Sequence, residues 1–158
     1  MSVTLIPNTG ISVPDTGDTA YNATWGALTI SALVALGNQI PRTIAFAVSD
    51  ETTALTTGTA KITFRMPYAM TVTAVRASVT TAPTGSTLVV DINDSGTSIL
   101  STKLSIDAGE KTSTTAATAA VISDTALADD AEITIDIDQV GSTIAGAGLK
   151  VYITGKLA

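Results

Sequence analysis

A chain of 158 residues is long enough for one domain of ordinary size plus an appendage, and for a core that needs no disulfide or metal staple. Hydrophobic residues make up 45% and charged residues 14%, a balance that excludes a disordered polymer. The net charge of −6 repels phosphate backbones and anionic membrane surfaces, which sets aside nucleic acid and membranes as partners.

The first 23 residues read as an extended arm. Pro7-Asn8-Thr9-Gly10 and Pro14-Asp15-Thr16-Gly17-Asp18 are two turn signals in close succession, because Pro fixes φ while Asn, Asp and Gly tolerate left-handed backbone. From Thr24 the apolar positions Trp25, Leu28, Leu33, Leu36 and Ile40 suit one or two amphipathic helical turns, with Thr24 as N-cap and Gly37 or Asn38 as the stop. The β-branched Thr29, Ile30 and Val34 leave a strand open as the alternative. Met1–Ile6 has no basic region or long apolar run, so it does not read as a signal peptide. Leu28–Leu36 falls far short of the ~20 residues that a membrane helix needs.

After Pro41 the texture changes. Short segments alternate apolar and small polar residues with period two, separated by Gly, Asp, Asn and Pro. Strands are expected over 43–49, 61–66, 70–80, 88–92, 98–104, 118–122, 132–140 and 149–154. In the third of these, Met70, Val72 and Ala74 oppose Thr71, Thr73 and Val75. In the seventh, Ile133, Ile135 and Ile137 point inward, with Thr134, Asp136 and Asp138 outward. Asn93-Asp94-Ser95-Gly96 is the clearest hairpin signal. About eight closely spaced strands without room for crossover helices predict an all-β fold, an antiparallel jelly-roll-like sandwich over 42–158, preceded by an attachment arm over 1–41.

Catalytic and metal chemistry find little support. The chain has no His and no Cys, which removes the most common general base, the thiolate nucleophile and the usual transition-metal ligands. Asp91, Asn93 and Gly96 are spaced like the start of a calcium loop, but Thr102 stands where the closing acidic ligand belongs, so a plain turn is favoured. Asp124, Asp129, Asp130 and Glu132 read as a solvated acidic loop rather than a cation site. Asp136 and Asp138 read as the wet face of an edge strand. The glycine-rich stretch 141–148 lies between two strands and is expected to be a flexible loop, not a phosphate cradle. No catalytic, cofactor-binding or metal-binding residue is assigned, and no small-molecule substrate is expected.

Tyr21 and Trp25 carry large apolar surfaces outside the strand train. They serve either to pack back onto the sandwich or onto a neighbouring copy of the chain, or to anchor a docking surface. The stretch Val13-Pro14-Asp15-Thr16-Gly17-Asp18-Thr19, followed by Trp25-Gly26 and an apolar run, resembles the N-terminal attachment segments of tailed-bacteriophage fibre and virion-appendage proteins. The blocks 62–70, 88–93 and 128–134 resemble a β domain found among phage tail and head fibres. The resemblance implies a non-enzymatic structural role at the capsid surface, as a decoration or cement protein or short head fibre. It implies a homotrimer whose partner is the major capsid protein or another virion protein, with Tyr21, Trp25, Leu28, Leu33 and Leu36 at the interface. The alternative is a tail-fibre-type or carbohydrate-binding adhesion module that contacts the host. Aromatics at 4% argue against it, since only Phe46, Phe64, Tyr68 and Tyr152 lie in the β domain.

Overall fold

The computed structural model describes residues 31–158 and the backbone of 3–5 and 12–14. The chain divides into two compact units, Met1–Gln39 and Ile40–Ala158. In the first, β1 (Val3–Leu5) pairs antiparallel with β2 (Ser12–Pro14), and the Pro7–Gly10 turn signal lies outside the described residues. Residues 31–38 are helical, and Gln39 N donates to Leu36 O just beyond. That decides between helix and strand for Val34, and the helix stops at Asn38.

The second unit is a sandwich of antiparallel strands: β3 (Arg42–Ala47), β4 (Gly58–Arg65), β5 (Met70–Ser78), β6 (Leu88–Asp94), β7 (Thr97–Ser98), β8 (Leu100–Thr102), β9 (Leu104–Ile106), β10 (Val121–Ile122), β11 (Ala126–Leu127), β12 (Glu132–Gln139) and β13 (Lys150–Leu157). One sheet runs β11-β5-β13-β3. The other runs β4-β12-β6, with β7 and β9 both paired to β6. The pairs β3 with β13, β4 with β12, β5 with β11, and β6 with β9 nest within one another. This is one long antiparallel ribbon wrapped into two sheets, the jelly-roll topology.

Alternation builds the core as the pattern of apolar positions requires. Ile133, Ile135 and Ile137 of β12, Leu88, Val90 and Ile92 of β6, and Val151 and Ile153 of β13 all face inward and are buried. Each such side chain contributes about 1.5–3 kcal/mol by leaving water. Phe46 of β3 stacks on Phe64 of β4, with ring centroids 3.8 Å apart, and so joins the two sheets where β3 and β4 form their edges.

Four expectations change. β5 holds its predicted parity only through Val72. A register shift against β13 at Thr154/Gly155 then turns Ala74 outward and Ala77 inward. The single strand expected over 98–104 is three pieces. Ser98 pairs with Asn93 and Leu104 with Val90, so six steps on one strand span three on the other. The surplus swings out as β8, which pairs with β10. β12 is not an edge strand, because it lies between β4 and β6. Finally, the glycine-rich connection 141–148 is packed rather than loose. It bridges back at Thr84↔Ile144 and Thr81↔Ala147, and Gly141, Gly146, Ala147 and Gly148 are buried. The hairpin turn forms as expected, with Ser95 at φ 50° and Gly96 at φ 82°, the left-handed pair of a type I′ turn.

Candidate functional site

Of the residues expected to form an interface, Tyr21, Trp25 and Leu28 lie outside the described residues. Leu33 and Leu36 lie on the helical segment 31–38, at 68% and 69% exposure, with Ile40 beyond it at 62%. Leu33 and Leu36 are three residues apart, which places them on one helix face. Val34 is also exposed, so this segment is apolar on more than one side. Every buried hydrophobic residue of the described core lies between Leu55 and Ile153, so the jelly roll completes its interior without this segment.

The carboxylates of the second sheet are committed to holding the fold. Asp91 projects from the outer face of β6 yet is only 4% exposed. Its carboxylate accepts from Ile92 N at 2.8 Å, Ser98 Oγ at 2.6 Å and Lys103 Nζ at 2.9 Å. Lys103 Nζ also reaches Asp138 at 2.6 Å, so it ties the β8–β9 excursion to both β6 and β12. The hydrogen bonds that it donates to Asp138 and then to Asp91 push the Lys103 ammonium well above its ordinary value. A lysine held protonated in this way cannot serve as a general base. Asp136 accepts from Ala60 N at 2.7 Å, beside the β4–β12 register shift where Ala60 adopts φ 47°. The Asp136–Asp138 face is therefore neither a plain wet edge nor a pair of free carboxylates.

The expected acidic loop is divided among local roles. Asp124 accepts from Ala126 N, Arg65 binds the carbonyl of Asp130, and Glu132 pairs with Arg65 at 3.1 Å. Asp50 accepts from the backbone N–H groups of Thr53 and Thr52, which pull its carboxyl down to about 2. Among the described residues no group of three or more acidic side chains is arranged to hold a metal ion. Nor is any helix among them long and apolar enough to cross a membrane.

The outer face of the β11-β5-β13-β3 sheet carries a depression of about 300 Å³ lined by Thr43, Arg76, Ala77, Ser78, Thr112, Tyr152 and Thr154. Tyr152 points outward because its neighbours Val151 and Ile153 point in, and it stands between Arg76 on β5 and Ala45 on β3. The four strands of this sheet contain Arg42, Arg76, Lys150 and Lys156 and no acidic residue. That segregation is visible in the sequence once the strands are assigned to sheets, but overall composition hides it. No protein-family model matches the chain, and comparison with curated proteins and with solved structures finds no match.

Proposed function

We propose that this protein is a non-enzymatic structural component of a tailed-bacteriophage virion, a capsid decoration or cement protein or short head fibre that attaches through its N-terminal segment. The reading rests on one observation: Leu33 and Leu36 expose large apolar side chains on a helical segment that belongs to a unit separate from a jelly roll whose core is already complete. Such a surface in water favours association, because burying it releases about 25 cal/mol for each Å² covered. In this reading the apolar face of the helical segment seats on a virion protein, and the jelly roll is carried with it. Copies assemble as a homotrimer, in keeping with the resemblance of residues 13–26 and 62–70 to virion-appendage sequences. Jelly rolls also occur in capsid and lectin domains, so topology alone does not choose the role.

The test adds purified protein to particles that lack it. The intact chain is expected to bind, and the Leu33→Asp/Leu36→Asp double variant is expected to lose binding by at least about tenfold while keeping its β-sheet circular dichroism. Undiminished binding by the double variant overturns the assignment. Electron microscopy of decorated particles reads the site and the threefold symmetry together.

A further inference from the structure

Tyr152 and Arg76 are direct cross-strand partners, and both side chains leave the same face of the sheet. On its other flank Tyr152 pairs with Ala45, a small side chain. The ring is only half-buried, and its hydroxyl lies 3.3 Å from Ser78 Oγ. Thr43 Oγ1 and Thr154 Oγ1 are 2.8 Å apart beside it. Thr112, bridged to Ser78, also lines the depression, with its hydroxyl 3.0 Å from Thr114 Oγ1. The result is an aromatic surface ringed by hydroxyl groups that both donate and accept.

The charge at this site is unusual. Among the cations on the strands of this sheet, Lys150 pairs with Glu51 at 2.5 Å, Arg42 sits over the Tyr68 ring, and Lys156 is also engaged. Arg76 is exposed and has no hydrogen bond or ion pair among the described residues, and no carboxylate lies on any strand of its sheet. A guanidinium with no partner among the described residues, in a molecule of net charge −6, is available to an anion brought from outside.

We infer that this depression binds one acidic sugar residue, a pyranose carrying a carboxylate. The apolar face of the sugar ring lies on Tyr152, its hydroxyls exchange hydrogen bonds with Thr43, Ser78, Thr112 and Thr154, and its carboxylate takes the planar fork of Arg76. The volume of about 300 Å³ is at the small end of ligand pockets and suits a single ring rather than an oligosaccharide. One arginine on a face of an acidic protein does not suit a polyphosphate chain, which needs several cations. The inference stands apart from the attachment role, because it uses none of the residues before Pro41.

Saturation-transfer NMR on the full chain tests it, with methyl glucuronide and methyl galacturonide as probes, the neutral methyl glucoside and galactoside as controls, and acetate and inorganic phosphate as competitors. The uronides are expected to bind about tenfold more tightly than the neutral sugars. Arg76→Gln, an exposed change that leaves the fold intact, is expected to remove that preference. Tyr152→Ala is expected to abolish transfer to every sugar, and Tyr152→Phe to retain it, which separates loss of the ring from loss of the fold. Absence of uronide binding, equal affinity for neutral sugars, undiminished preference in Arg76→Gln, or displacement by acetate or phosphate at equal concentration each overturns the inference. The last outcome would mark a bare anion site.

Discussion

Lys103 shows how a single residue can join three strands. Its stem leaves the β8–β9 excursion and its ammonium closes on Asp138 and on the buried Asp91, so the excursion is pinned where backbone pairing to β6 is interrupted. The Lys103→Met variant is expected to lose about 1–2 kcal/mol of stability at pH 7. This is less than for a fully buried pair, because the Lys103 side chain is 43% exposed and Asp91 keeps two other donors. The pH dependence has a definite sign. The folded state holds this proton more tightly than the unfolded chain, whose lysine titrates near 10.5, so the contribution is complete below that pH. It is lost as the pH rises through the higher folded-state value. Urea titrations should therefore show a constant gap between wild type and variant from pH 7 to about 10, narrowing above that.

At the level of elements, turns and connections govern where the strands run. The turn between β6 and β7 places Ser95 and Gly96 in left-handed backbone, a conformation that Asn adopts more readily than Ser. Ser95→Asn is expected to stabilise the protein by about 0.5 kcal/mol, whereas Gly96→Ala is expected to cost about 1 kcal/mol, since alanine strains at that φ although the space around it is open. Gly141 differs in kind, because the obstacle there is steric. A Cβ at that position would meet Ile144 O at 1.9 Å and Thr84 N at 2.7 Å, both backbone atoms. Gly141→Ala is therefore expected to cost more than about 2 kcal/mol and to loosen the 141–148 connection, measurable as faster amide exchange at Thr84 and Thr143, which bond across it.

Across the whole molecule, the jelly roll places its first strand against its last. Arg42–Ala47 pairs with Lys150–Leu157 across more than a hundred residues of sequence, and Gly58–Arg65 pairs with Glu132–Gln139. Such pairing predicts slow folding, on the millisecond-to-second scale of all-β domains. It also predicts that residues 40–158 fold alone in one cooperative transition, because all the buried hydrophobic core of the described chain lies within them. The fragment should melt within about 3 °C of the full chain by calorimetry, and a larger drop would mean that the first unit contributes to the core. The two sheets also differ in charge. The strands of one carry four cations and no acid, while β6 and β12 of the other carry Asp91, Asp94, Glu132, Asp136 and Asp138.

The all-β class, most strand positions, the hairpin turn at 93–96 and the inward face of β12 are local in origin. They follow from period-two alternation and from which residues tolerate left-handed backbone, and both are legible along the chain. The β5 parity change and the division of 98–104 into three strands depend on register against β13 and β6, which no local pattern carries. For the same reason Asp91, Asp136 and Asp138 resemble a calcium loop or a wet face in one dimension but act as acceptors for Lys103, Ser98 and backbone N–H groups in three. Leu33 and Leu36 stand out by spacing alone, but that the buried core of the described residues includes neither is decided by tertiary structure. The Tyr152–Arg76 depression came entirely from tertiary structure, because residues 76 positions apart in sequence become neighbours only when β5 and β13 pair.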